Sequence, residues 1–204
     1  FRQIDILFDF IEGIREAEKS SLLRLKATWI EDKKLDESDF ESTDLDTIRK
    51  QFEDGALVGL ELPVTIKEKK GDKESKFSVY IKRPEDLEKG QDIYVRRGLT
   101  LPQEAKFDGR RALGAMIAED EPICAFLGDA ENAAHTKWSN STEKLTRNYR
   151  NKQHTATLIS VIRKSVRELF DLLAQVTEEK DEDALLDFFW IDEPEAQKKK
   201  RTKK

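Results

Sequence analysis

Asp129, Glu131 and His135 stand close together in GDAENAAHTKW, residues 128–138. Two carboxylates and an imidazole can ligate a metal ion or exchange a proton with a substrate, so the trio is a candidate centre for a small metal-dependent hydrolase or nuclease. Glu131 and His135 are four apart and would share a helix face, but Gly128 and Asn132 weaken a continuous helix here. A structural reading stands beside the catalytic one. In it the apolar run ICAFL enters the core and ends at Gly128, Asp129 caps the turn, His135 makes a structural hydrogen bond and Trp138 anchors the loop.

The second candidate is basic. YVRRGL places Arg96 and Arg97 at a strand end next to a glycine, where a guanidinium can hold a phosphate or carboxylate through two parallel bonds. Successive strand residues face opposite ways, so one of the two is expected to serve a given ligand. Gly109, Arg110 and Arg111 repeat the theme, and together the RR and GRR pairs could bind nucleic acid, although ion pairs with the abundant acids are the plainer explanation. Glu68 and Lys70 give the E-x-K of a nuclease motif without an acidic partner in register. Cys124, between Ile123 and Ala125, reads as a small buried residue and not a nucleophile. The P-loop, dinucleotide-binding and nucleophile-elbow fingerprints are absent from the sequence.

The elements that would position these groups follow from periodicity. Ile4, Leu7, Phe8, Ile11 and Ile14 form one face of an N-terminal helix. Leu22, Leu23, Leu25, Ala27 and Trp29 continue that helix or begin another. DKKLDESDFESTD reads as an acidic surface loop, followed by a short helix capped by Ser42 or Thr43, carrying Leu45, Ile48 and Phe52, and ended by Gly55. ALVGLELPVTIKEK and SKFSVYIKR alternate apolar and polar residues about a KGDK turn, which is a β-hairpin whose first strand is an edge or bulged at Pro63. IYVRRGLTL and RALGAMIAED supply a third and a fourth strand, the latter ending in a turn at Asp120, Glu121 and Pro122. Leu158, Ile162, Val166, Leu169, Leu173 and Val176 then mark a long helix across one sheet face. A short apolar helix, DEDALLDFFW, and a disordered basic tail complete the chain.

The expected fold is therefore α+β: a four-stranded, mainly antiparallel sheet packed with a long C-terminal helix and an N-terminal helical region. Its organisation reads as an N-terminal helical region and acidic loop (1–40), an α+β domain (41–190) and a basic tail (191–204). The 204 residues suffice for an independent core. A net charge of −5, from 42 acidic and 37 basic side chains, does not favour nucleic acid as the main partner. One cysteine and two histidines argue against structural zinc and for a reducing, cytoplasmic setting. No apolar run is long enough to span a bilayer as a helix, so no membrane partner is expected. The start at Phe1 and the end in KKKRTKK suggest a piece of a longer chain.

The strings ELPVTIKEKKGDKESKFSVYIKR, QDIYVRRGLTLP, ALGAMIAEDEPICAFLGDAENAAHTKW and LLDFFW together resemble a middle segment of large bacterial ATP-binding proteins. These are relatives of the gyrase, chaperone, histidine-kinase and MutL (GHKL) ATPase superfamily, and the resemblance covers roughly residues 56–190. It implies a transducer domain, a noncatalytic coupling or interaction module that follows an ATP-binding domain and relays its nucleotide state, with phage defence as one setting for the parent. It also implies that a basic residue reaches the γ-phosphate, for which Arg96 and Arg97 are the candidates. The Glu and Asn pair and the glycine-rich lid of the superfamily's ATP site have no match here. The chain itself should then hold no cofactor, with ATP and Mg bound by the parent, the N-terminal ATP-binding domain as its partner and homodimerisation as a further expectation.

Overall fold

A computed structural model describes residues 2–17, 21–28, 34–40, 44–102, 107 and 109–174. Their elements are α1 (Arg2–Glu16), β1 (Leu23–Arg24), α2 (Leu45–Glu53), β2 (Val58–Glu68), β3 (Gly71–Lys82), β4 (Gln91–Arg96), β5 (Leu99–Thr100), β6 (Leu113–Ala118), α3 (Glu121–Ala130), α4 (Glu143–Asn148) and α5 (Lys152–Leu173). The architecture is α+β, as expected. The sheet, however, is mixed and has six strands, in the order β1-β2-β3-β6-β4-β5.

Two physical causes separate this sheet from the expected four antiparallel strands. β1 and β5 are two residues long, too short for a period-two pattern to declare itself. IYVRRGLTL is not one strand either, because Arg97 and Gly98 take positive φ of 46° and 77° and turn the chain back from β4 into β5. β6 then inserts between β3 and β4, pairing antiparallel with the first and parallel with the second, while β1 pairs parallel with β2. Parallel neighbours need a crossover, and no local periodicity reports one.

The β2–β3 hairpin runs in unbroken register from Val58↔Ile81 to Glu68↔Gly71, with the turn at Lys69 and Lys70. Pro63 sits in that register opposite Lys76 without a bulge. The carbonyls of Thr65 and Lys67 accept bonds from His154 Nε2 and Arg150 N, so the odd-numbered residues of β2 direct their backbone groups away from β3. The donor that proline lacks therefore belongs to the outer edge, where no ladder bond is lost.

On one face of the sheet Leu60, Leu62, Val64, Ile66, Phe77, Val79, Ile81 and Met116 meet α3 and α5 in the main core. The α5 residues Leu158, Ile162, Val166, Leu169 and Leu173 are all buried there, as their spacing predicts; Val176 lies outside the described residues. On the other face a smaller cluster joins Tyr80, Leu113 and Ala115 to Phe10 of α1. The face that α1 buries is thus Ile6, Leu7, Phe10 and Ile14, not the one built on Ile4 and Phe8, which are 56% and 62% exposed. Both faces have helical spacing, and the one carrying Phe10 is buried because Tyr80, Leu113 and Ala115 of the sheet lie opposite it.

Several local readings change. Leu23 and Arg24 form a strand and do not extend a helix. The acidic segment holds a 3₁₀ turn at Glu37–Asp39 between buried Leu35 and Phe40, so it is pinned to the core at both ends. The α2 N-cap is Asp44, whose carboxylate accepts from Thr47 N; Ser42 and Thr43 lie outside the described residues. Gly55, at φ 83°, does end the α2 region. DEDALLDFFW and the basic tail also lie outside the described residues. No helix among the described residues is long and apolar enough to cross a membrane.

Gly114 lets β6 and α5 meet: a Cβ there would lie 2.2 Å from Val166 Cγ1. Gly114→Ala should lower the urea-unfolding free energy by about 1–3 kcal/mol through overpacking. The double variant with Val166→Ala should be destabilised by less than the sum of the two singles, because the second change removes the methyl that the first one strikes.

Candidate functional site

The three junction residues divide into two groups. α3 begins where the sequence suggested a turn: Asp120 is its N-cap and Pro122 lies in its first turn, where a missing N–H costs no helical bond. The Asp120 carboxylate accepts from Ser75 Oγ at 2.5 Å, and that hydroxyl in turn accepts from Ile123 N at 3.1 Å, so a β3 serine serves as the cap. The helix continues through Gly128 and ends at Ala130, beyond the break expected at Gly128. Arg96 packs on Gly128, its guanidinium carbon 3.6 Å from the place of a Cβ at residue 128, an ordinary van der Waals distance.

After Ala130 the chain closes a short loop. Glu131 bridges Trp138, Asn132 N donates to Lys137 O, and the Asn132 carboxamide oxygen accepts from Thr136 N at 2.9 Å and from Lys137 N at 3.3 Å. His135 takes φ 53°, a left-handed conformation that histidine tolerates better than most residues. Its Nδ1 then lies 2.7 Å from Glu131 Oε2. An ionised carboxylate only accepts, so His135 is the donor in this contact.

Glu131 is the buried member, its side chain 1% exposed. Arg96 grips it with Nε at 2.5 Å from Oε1 and Nη2 at 3.0 Å from Oε2. Burial works against the charge, but the bonds and the positive field from Arg96, with help from His135, hold the carboxyl below its usual range. Asp129 does not join them: its carboxylate accepts from Asn148 Nδ2 at 2.7 Å and Tyr149 OH at 3.2 Å. Burial and that neighbouring anion push the Tyr149 phenol far above its ordinary pKa. Among the described residues no group of three His, Cys, Asp or Glu is placed to hold a metal ion.

The arginines of the sequence reading are all engaged. Arg97, its side chain half exposed, pairs with Glu121 at the start of α3. Arg110 pairs with Asp171 at 3.0 Å and lies over the rings of Phe107 and Phe170, while Arg111 donates to Leu87 O. The expected basic patch at RR and GRR is thus largely neutralised across space. Cys124 is buried and its thiol is pushed up by desolvation, against the nearby Arg97 and Arg96, which makes it a poor nucleophile. Glu68 pairs with Lys73 beside the hairpin turn, which leaves the E-x-K string without catalytic company.

Sequence reasoning missed that Arg96 and Glu131 meet, 35 residues apart. Only the parity of β4 hinted at it, since Asp92, Tyr94 and Arg96 share the face that α3 and α5 cover. Because the folded-state pKa of Glu131 is lowered, its stabilisation is complete above the carboxyl's unfolded value and disappears as pH falls through the folded one. Glu131→Gln should therefore cost about 2–4 kcal/mol in urea unfolding at pH 7, since it leaves Arg96 without its counter-ion. The gap to wild type should narrow in acid, and His135→Ala, at an exposed position, should cost under about 1 kcal/mol. Comparison with protein-family models, with curated proteins and with solved structures finds no match to this chain.

Proposed function

We propose that the chain is a noncatalytic coupling or interaction module of a larger bacterial ATP-binding protein, similar to the transducer segments of the GHKL superfamily. One observation carries this reading. Consecutive residues at the end of β4 hold opposite ends of α3, Arg96 through Glu131 and Arg97 through Glu121. A helix of ten residues spans about 15 Å, so the β4–β5 turn addresses that whole length at once.

The two grips are unequal. The Arg96 bond is two-pronged and shielded from water, whereas the Arg97 pair is open to solvent, where such pairs contribute about 0–1 kcal/mol. A phosphate oxygen offers Arg97 a stronger, charge-assisted partner than Glu121 does. Exchange of Glu121 for a γ-phosphate on a neighbouring ATP-binding domain would free the start of α3 while Arg96 keeps its end fixed. Arg97 is thus the phosphate-contacting residue of this reading and Arg96 a positioning residue. ATP and Mg belong to the parent protein's upstream domain.

A second reading, a small metal-dependent hydrolase or nuclease using Asp129, Glu131 and His135, draws on the Glu131–His135 contact. It would require Asp129 to exchange Asn148 and Tyr149 for a shared metal or substrate, whereas the coupling reading exchanges only the solvent-open Arg97–Glu121 pair.

Calorimetric titration with MgATP should give no binding heat for the 204-residue chain and clear binding for the parent protein with its upstream domain. In that parent, Arg97→Ala should lower turnover roughly tenfold or more with the nucleotide Kd little changed, the pattern of a group that acts on the reacting phosphate. Nucleotide affinity in the 204-residue chain alone would overturn the proposal.

A further inference from the structure

The basic surface of this protein is not where the arginine pairs are. The tip of the β2–β3 hairpin carries Lys67, Lys69, Lys70 and Lys73, and α4 with its junction to the start of α5 carries Lys144, Arg147, Arg150 and Lys152. All eight are exposed, and the fold fastens the two segments together. Lys69 N donates to Asn148 O at 2.9 Å, Arg150 N donates to Lys67 O at 3.0 Å, and Glu68 bridges Tyr149. Residues 67–73 and 143–152 thus bring eight cations against three acids, Glu68, Asp72 and Glu143. That balance of +5 stands on a chain of net charge −5, so the remainder carries −10.

Pairing does not explain the concentration. Glu68 is taken by Lys73, and Asp72 by Arg150. Among the described residues Lys67, Lys69, Lys70, Lys144, Arg147 and Lys152 make no ion pair, Lys69 donating instead to the Thr146 carbonyl. Lys152 is moreover the first residue of α5, a helix of 22 residues with no acid in its first turn. A cation there faces the positive end of the helix dipole, where stability alone would select Asp or Glu. Like charges gathered at the tip and on the dipole are a standing cost to the fold, and a polyanion would relieve it.

We propose that this surface, the β2–β3 tip with the α4–α5 junction, binds the phosphate backbone of duplex nucleic acid without reading its sequence. The chemistry of the patch selects that partner. A cleft of about 150 Å³ between the two segments is lined by Lys69, Arg150 and Lys152 with Asn140 and Thr146, the mixture of cations and neutral donors that contacts phosphate oxygens. Its aromatic residue, Tyr149, is buried, so no ring is offered for stacking unpaired bases, which selects a duplex over a single strand. Among the described residues the exposed large apolar side chains, Ile4, Phe8 and Leu99, belong to α1 and β5 and not to this patch, which favours a polyanion over a lipid surface. The inference does not rest on the coupling reading.

The test is fluorescence anisotropy of the 204-residue chain with a labelled mixed-sequence duplex of about 20 base pairs, between about 50 and 200 mM salt. Binding should weaken with a log–log salt slope of about −5, close to one counter-ion for each cation without an ion pair. Lys70→Glu with Lys152→Glu should weaken binding by roughly tenfold or more and reduce the slope by about 2. The control is Lys50→Glu with Lys89→Glu, which makes the same charge change at α2 and beside α1 and should alter affinity little. The basic tail is common to all variants and cannot separate them. Thermal melts check folding, and if either pair unfolds, the Lys→Gln versions remove charge without reversing it. The proposal is overturned by no binding at the lowest salt, by equal losses in both pairs, or by equal competition from polyglutamate or from anionic phosphatidylserine vesicles at matched charge.

Discussion

A carboxylate buried to 1% exposure is the constraint around which this fold is arranged, because Glu131 can be ionised there only if its partners are in place. Arg96 must then stand at the end of β4, and the chain after α3 must turn tightly enough to return His135 to the same carboxylate. The contacts spread from there into the core. The loop that Asn132 closes delivers Trp138 edge-on to Tyr94, and Arg163 of α5 donates to the Trp138 carbonyl while its own carbonyl accepts from Tyr94 OH at 2.7 Å. One ion pair thereby fixes β4, the end of α3, the loop and the middle of α5 relative to one another.

Such a pair is weak evidence of net stability, since two apolar residues of similar shape could fill the same space. What it provides is geometry. Arg96 reads the position of α3 from inside the core, and Arg97, one residue on and in a left-handed backbone, reads it from outside. The left-handed turn that begins at Arg97 is what allows neighbouring residues to do both, one in a shielded site and one open to solvent.

Much of this was legible in the sequence, where the signal was long and local. The hairpin, the buried stripe of α5 and the burial of Cys124 and Trp138 follow from periodicity and residue size. What escaped was short or distant. A two-residue strand has no period, and a parallel neighbour such as β6 beside β4 leaves no mark in the residues that pair. The choice between two helical faces of α1 turned on Phe10, whose burial depends on Tyr80 and Leu113 lying opposite. At the junction Glu131 and His135 meet through the loop after α3 and not on a helix face, so their spacing alone did not give the contact, and the exclusion of Asp129 was hidden too, because Asn148 and Tyr149 reach it from another element.

Charge shows the same limit more sharply. RR and GRR are the conspicuous basic strings, and the fold matches them with Glu131, Glu121 and Asp171. The lysines of the hairpin tip look diluted by glutamate when read in line, and so do those around α4. They become a surface only because Lys67 and Lys69 bond through their backbone to Arg150 and Asn148. Coulomb energy depends on distance in space, and screening confines it to about 8–10 Å at physiological salt, so the field of a protein belongs to its tertiary neighbours. A chain with a net charge of −5 can therefore present a face that attracts anions. The sign of the total says little about any one side of the molecule.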